Sequence, residues 1–289
     1  MRNAEMALEH ARLGGGDQYC FFKSIMAREA AHRRSLENAL YFAVRHKELI
    51  LHFQPIVDLP ARRMAGVEAL IRWEHPQLGL IPPDVFVPLA EETGAIVDIG
   101  LWLLEVVVQQ LAEWKKQGID RYISINISAR QIPDGLPPIT LIEMCSRYGV
   151  DPANLAIEIT ESVFMGDSNA VKVWLDTVHE SGFRIYLDDF GTGYSSLSYI
   201  KRFPMDVLKV DKSFVRDMNE NNSDRTLVEA IINMARSLKL DVVAEGVESQ
   251  RQLDLLKEAD CRYIQGYYFS RPVTVEAIED ASRRIEQFF

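Results

Sequence analysis

The sequence predicts an α/β fold, a (β/α)8 TIM-like barrel with an antiparallel first strand. Short β-rich runs alternate with helical stretches along most of the chain, as expected for βα units around a parallel sheet. Eight such runs can be found, and eight favours closure into a barrel. The length of 289 residues suits one such domain, for which about 250 is typical.

Residues 1–23 do not follow this pattern, since Gly14-Gly15-Gly16 interrupts them before the apolar Tyr19-Cys20-Phe21-Phe22. They look like the tail of another domain. Residues 24–46 carry Met26, Ala30, Leu36, Leu40 and Phe42 at helical spacing among charges, a connecting helix that leads into the main domain, 47–289. The first strands, Ile50–Val57 and Met64–Ile71, are separated only by Asp58–Arg63. That is too short for a helical crossover, so the two form a hairpin and one of them runs antiparallel. A helix follows, with Leu101, Leu104, Val108, Leu111 and Trp114 on its buried face. The remaining strands are Tyr122–Ile127, Leu155–Ile159, Arg184–Leu187, Val207–Val210, Asp241–Ala244 and Tyr263–Ile264. Ser249, followed three residues later by Gln252, reads as a capping box that opens a helix running to about Ala259.

Composition narrows the function. Hydrophobic residues make up 47% and charged residues 26%, the balance of a chain with a large core. A net charge of -10 argues against a DNA or RNA polymer as partner, because polyphosphates are held by excess Lys and Arg. Apolar runs such as Leu101 to Val108 are far short of the ~20 residues a membrane span needs. Three scattered cysteines suit a reducing, cytoplasmic setting. The histidines form no HExxH or His-Asp pair, which disfavours zinc hydrolases.

The chemistry gathers at the strand ends. Nearly every strand closes on a residue suited to metals or phosphates: Gln54, Glu68, Asn126, Glu158, Asp188 with Asp189, Lys209, Glu245 and Gln265. One acid at a strand end is usually a solvated turn or a helix cap. Repetition on strand after strand is not explained that way, and the active sites of barrel enzymes lie at this face. Carboxylates with an Asn, and no His or Cys, suit hard ions such as Mg²⁺ or Mn²⁺. Glu68, Asn126, Glu158 and Asp188 are candidates for one ion, and Asp188 beside Asp189 would bridge to a second, an arrangement that activates water against a phosphodiester. Because neighbouring residues on a strand face opposite ways, Asp189 is expected just past the strand end. Lys209 is either simply paired or holds the attacking water and offsets charge on the phosphate. Glu161 is either a helix cap near Asp167 or a support for the glycine-flanked loop that contains Gly191 and Gly193.

At these residues the chain resembles the EAL domain family, from about Leu49 to Pro272. The motifs are Gln54-Pro55-Ile56-Val57, Glu68-Ala69-Leu70-Ile71-Arg72-Trp73, Asn126-Ile127-Ser128, Glu158-Ile159-Thr160-Glu161, Asp188-Asp189-Phe190-Gly191-Thr192-Gly193, Lys209-Val210-Asp211, Glu245-Gly246-Val247-Glu248 and Gln265-Gly266-Tyr267. The resemblance implies an antiparallel first strand and cleavage of cyclic di-GMP (c-di-GMP) to linear pGpG. It also implies about two Mg²⁺ or Mn²⁺ ions on Glu68, Asn126, Glu158, Asp188 and Asp189. Lys209 and Glu245 would handle the water and its proton, and Gln54, Leu70, Arg72 and Gln265 would contact the substrate or its neighbourhood. A homodimer is the expected assembly. Residues 1–23 resemble the end of a GGDEF domain in the Ala4 to Ala11 helix and in Gly15, Asp17, Gln18, Tyr19, Phe21 and Phe22, which implies tethered GGDEF and sensory domains in a longer signalling protein that a membrane could tether. The rival readings are a receptor that binds c-di-GMP without turnover and a carboxylate-pair glycosidase, which the Lys and the adjacent Asp residues fit poorly.

Overall fold

The structure, a computed structural model, describes residues 19–165, 168–191, 200, 202–219 and 221–289, together with Ala4, Ala7, Leu8, Arg12 and Asp17. The expectations placed on Gly14 to Gly16, Gln18, most of the Ala4 to Ala11 helix, Asp167 and Thr192 to Ser196, Gly193 among them, lie outside these residues. The chain divides into two units, Met1–Leu49 with Trp73–Ala95, and Ile50–Arg72 with Ile96–Phe289.

In the first unit, α1 (Ser24–Ala43) buries Met26, Leu36, Leu40 and Ala43. It stops before the expected His46 because Lys47 turns left-handed (φ 58°), which returns the Glu48 N–H to the Ala43 carbonyl at 3.0 Å. Strands β1 (Leu49–Asp58) and β2 (Arg63–His75), which belong to the second unit over Ile50–Arg72, run longer than their apolar cores suggested; the end of β2, in the first unit, pairs antiparallel with β3 (Gly79–Ile81). That three-residue strand is too short to leave a period-2 signal. Trp73 is fully buried, with its indole N–H donating to Glu48 Oε2 at 3.0 Å. Helix α2 (Pro83–Thr93) begins on proline, whose ring presets φ, and closes on Gly94 at φ 80°.

The second unit is the barrel. Strands β4 (Tyr122–Asn126), β5 (Leu155–Thr160), β6 (Arg184–Phe190), β7 (Val207–Val210), β8 (Asp241–Ala244) and β9 (Tyr263–Gln265) follow in order around it. β2 pairs parallel with β4, β1 pairs antiparallel with β9, and β1–β2 pairing closes the ring. Its helices are α3 (Ile96–Lys116), α4 (Pro138–Tyr148), α5 (Ser168–Glu180), α6 (Lys212–Asp217), α7 (Asn222–Ser237), α8 (Gln250–Glu258) and α9 (Ile278–Phe288). The main core lies between strands and helices; Leu104, Val107, Val108 and Leu111 of α3 pack with Val67, Ile123 and Ile157. The capping box is present: Ser249 accepts from the Gln252 N–H while the Gln252 side chain accepts from the Ser249 N–H at 2.9 Å.

Candidate active site

Side chains two residues apart share a strand face, so each barrel strand carries one inward column. At one end these columns are apolar: Ile56, Tyr122, Ala156, Tyr186, Val207, Val243 and Tyr263 form a single buried cluster. Two residues further toward the C-terminal mouth the same columns carry Ser124, Glu158, Asp188, Lys209, Glu245 and Gln265, with Glu68 two residues beyond Gly66. On β1 the step runs backward, from Ile56 to Gln54, because β1 is antiparallel. Period-2 alternation thus lays a polar layer on an apolar floor.

At the centre is Lys209, 1% exposed. Its ammonium lies 2.6 Å from Glu158 Oε2, 2.7 Å from Glu245 Oε1, 3.3 Å from Asp188 Oδ1 and 3.5 Å from Glu68 Oε2. Burial would strip the proton from Lys209, but the charges of Asp188, Glu158, Glu245 and Glu68 outweigh it and hold the amine well above its usual range. Glu68 accepts from Asn126 Nδ2 (2.7 Å) on one oxygen and Gln265 Nε2 (2.7 Å) on the other. Burial pushes its carboxyl up, yet Lys209 and these hydrogen bonds prevail and hold it below the ordinary value. Glu158 goes the other way: burial and the neighbouring Glu68 charge raise it well above that value, against the pull of Lys209. Glu245 is pushed up to about 8, first by burial and then, against Lys209, by Asp188 and Glu68.

Asp188 and Asp189 correct the expectation that Asp189 lies past the strand end. Leu187 pairs with Leu208 and Phe190 with Val210, so both aspartates oppose Lys209 alone. This is a β-bulge within β6, and Asp189 takes the left-handed conformation it requires (φ 55°). The bulge removes the strict alternation that would set the two on opposite faces. Burial, then the charges of Asp188 and Asp211, raises the Asp189 carboxyl.

The remaining candidates lie near the same strand ends. Gln265 Nε2 donates to Gln54 Oε1 (3.1 Å), and Gln54 Nε2 donates to the Ser270 carbonyl (3.3 Å). Leu70 and Arg72 follow Glu68 on the same face of β2, half-buried. Glu161 opens a short 3-10 segment directly after β5, and its Oε1 accepts the Gly191 N–H at 3.2 Å. Gly191 has φ 98°, and a Cβ there would meet the Phe214 ring at 2.9 Å, so both conformation and space call for glycine. Ser124 was not anticipated; it is buried in the layer beneath Asn126, and an inward Ser in an apolar run was its only sequence signal.

Several features fit a divalent cation. The donors are hard oxygens, and four carboxylates face one ammonium, an excess of negative charge that is costly to bury. Glu158 Oε1 is buried without a hydrogen-bond partner. Among the described residues no three acid, His or Cys side chains already form an ion cage; the carboxylates converge on Lys209 instead. No single helix among them is long and apolar enough to cross a membrane.

Comparison with known proteins agrees with this geometry. Residues 33–272 match the family model of the EAL domain. The bifunctional diguanylate cyclase/cyclic di-GMP phosphodiesterase MucR of Pseudomonas aeruginosa is 41% identical over 279 residues, covering 96% of this chain and 41% of MucR. The Escherichia coli cyclic di-GMP phosphodiesterase PdeR is 36% identical over 279 residues, covering 96% of this chain and 42% of PdeR. The chain therefore spans about two fifths of these curated relatives. A solved structure of the PaMucR phosphodiesterase in complex with c-di-GMP superposes with a TM-score of 0.81 at 41% identity, covering 84% of this chain and 99% of that one.

Proposed function

This chain belongs to the EAL domain family, and from that premise we propose that it is a c-di-GMP phosphodiesterase that uses Mg²⁺ or Mn²⁺, two ions at a time, to give linear pGpG. The observation that carries the reading is the buried ring of Glu68, Glu158, Asp188 and Glu245 around Lys209 at the mouth of the barrel. Glu68, Asn126, Glu158, Asp188 and Asp189 would hold the ions. When bound, these supply positive charge against the phosphate and acidify the attacking water.

The rest is work for the side chains of this chain. Lys209 orients the water and offsets charge as the phosphorus centre gains a fifth oxygen. Glu245, whose carboxylate lies 2.7 Å from the Lys209 ammonium, takes the water's proton as the new P–O bond forms. The bond from phosphorus to the 3′ oxygen breaks, that oxygen is protonated, and a 5′-phosphate remains. Gln54, Leu70, Arg72 and Gln265 hold the nucleotide, and Glu161 with Gly191 and Gly193 supports the loop after Asp189.

On the same reading, 1–23 is the tail of a GGDEF-like domain, 24–46 a connecting helix and 47–289 the catalytic domain of a homodimeric, cytoplasmic signalling protein. Tethered GGDEF and sensory domains belong to the same reading, and MucR, of which this chain covers 41%, is a bifunctional diguanylate cyclase/cyclic di-GMP phosphodiesterase. The test is incubation with c-di-GMP and Mg²⁺ or Mn²⁺, with and without EDTA, followed by chromatography of the nucleotides. Metal-dependent pGpG supports the enzyme. Binding without product would make it a receptor. Ca²⁺, which takes more ligands at longer distances, should inhibit.

A further inference from the structure

Glu245 and Gln265 reach the site from neighbouring strands, β8 and β9, and the two segments are stitched together just past the strand ends. The Gln265 carbonyl accepts the Val247 N–H at 3.2 Å, and the Val247 carbonyl accepts the Tyr268 N–H at 2.9 Å. Gly266 permits this approach, since a Cβ there would lie 2.1 Å from the Val247 carbonyl oxygen. The turn Gly266–Ser270 closes with the Phe269 and Ser270 N–H groups donating to the Gly266 carbonyl, each at 3.2 Å, and the Ser270 carbonyl accepts from Gln54 at 3.3 Å. It thus braces two site residues at once. One is Gln265, whose amide donates to Glu68 at 2.7 Å and to Gln54 at 3.1 Å; the other, through Val247, is Glu245, which lies 2.7 Å from Lys209.

Hydrogen bonds fix the turn on its inner side and aromatic rings fix it on its outer side. Tyr268 and Phe269 meet Phe288 of α9 edge-on at 5.3 and 5.2 Å, and the Tyr268 hydroxyl pairs with Gln250 at the start of α8. Most of α9 is held independently of the turn: Ile278, Ala281 and Ile285 are buried, and Arg121 binds Glu279 and Ser282. Phe288 stands apart. It is 43% exposed, and its ring meets Tyr268, Phe269 and Phe289 rather than the buried core.

We propose that Phe288 is a positioning residue for the reaction: its ring, packed on Tyr268 and Phe269, holds the turn against Val247 and so keeps Gln265 on Glu68 and Glu245 on Lys209. Edge-on aromatic contacts are directional, so this ring restricts the turn in a way that apolar cover of the same area would not. A small shift at the turn is carried to the Gln265 amide and to the segment after Glu245, because backbone hydrogen bonds join all three. Supports of this kind set the orientation of the groups that hold an ion or move a proton, although they touch neither.

This inference rests on the metal-dependent phosphodiesterase reading, and the experiment keeps the two ideas separate. Mg²⁺ binding to the substrate-free protein is measured by calorimetry, turnover of c-di-GMP by chromatography and Tm in EDTA. The proteins are the wild type, Phe288→Ala, Phe288→Tyr and Ile285→Val, the last a control in the buried face of the same helix. Phe288→Ala should lower kcat and weaken Mg²⁺ binding about tenfold each, the low end of what loss of a support for a metal ligand costs. Phe288→Tyr keeps the ring and should stay within about twofold of the wild type in both. Ile285→Val removes one buried methyl group and should lower Tm by about 2–4 °C with kcat and Mg²⁺ binding unchanged. Wild-type kcat and Mg²⁺ affinity in Phe288→Ala would overturn the proposal, whatever its Tm. So would equal losses in Phe288→Tyr, or in Ile285→Val. Weakened Mg²⁺ binding in Phe288→Ala, restored in Phe288→Tyr, in a protein that yields no pGpG would uphold the positioning and remove the phosphodiesterase, while a wild type that neither binds Mg²⁺ nor hydrolyses c-di-GMP would remove both.

Discussion

Replacing Lys209 with Met removes the one ammonium at the centre of the site while keeping most of the stem's volume. Its closest partners, Glu158 and Glu245 at 2.6 and 2.7 Å, would then face Asp188 and Glu68 with nothing between them. Removing one partner from a buried ion pair costs about 3–5 kcal/mol, because the remaining charge is stranded. For a domain of this size that is roughly a 10 °C fall in Tm. The assay is thermal melting in EDTA, followed by titration with Mg²⁺. The variant should melt well below the wild type without metal and gain more from Mg²⁺, since a cation would relieve the same repulsion. Turnover should stay depressed, about 100-fold or more in kcat, even where Mg²⁺ restores the melt. A variant melting within about 2 °C of the wild type in EDTA would refute the view that Lys209 neutralises the ring. Wild-type turnover would refute its part in chemistry.

Glu68→Ala should abolish hydrolysis of c-di-GMP with far-UV circular dichroism retained, since Glu68 collects Asn126, Gln265 and Lys209 around a single carboxylate; turnover in saturating Mg²⁺ would sink the assignment. Glu161→Ala, which leaves the Gly191 N–H without this acceptor, should lower turnover about tenfold or more and raise the Mg²⁺ concentration for half-activity, with Tm nearly unchanged; wild-type values for both would reduce Glu161 to a structural residue. Ser249→Ala should cost about 1 kcal/mol through the lost cap of α8, read as a Tm lower by roughly 2–4 °C at undiminished turnover. Burial pushes the Cys261 thiol up to about 12 and Cys145 up to about 11 from the ordinary 9. Above pH 9 the unfolded chain gives up these protons first, so stability should fall with rising pH, by as much as about 1.4 kcal/mol per unit for each thiol, and Cys261→Ala should flatten the fall in a pH series of denaturant melts.

What the linear sequence determined is what depends on near neighbours. Apolar runs bounded by turns identified all eight barrel strands, and the short Asp58–Arg63 link identified a hairpin with one reversed strand, which the pairings show to be β1. The residue types at the ends of those runs marked the candidate site, because a buried strand has to emerge at the mouth of the barrel and these strands emerge in carboxylates, amides and one lysine. Tertiary structure decided the pairings. Lys209 and Glu68 are 141 residues apart and Gln265 and Glu68 are 197, so their contact depends on ring closure and stagger, which no local pattern encodes. The same holds for the bulge at Asp188 and Asp189, where an extra residue in one strand is visible only against its partner. It holds too for the hydrogen bond from the Gly191 N–H to Glu161, which depends on where β6 ends beside β5. Short-range sterics and periodicity select the elements, whereas which charges share a desolvated space depends on the closed barrel that removes water from all of them at once.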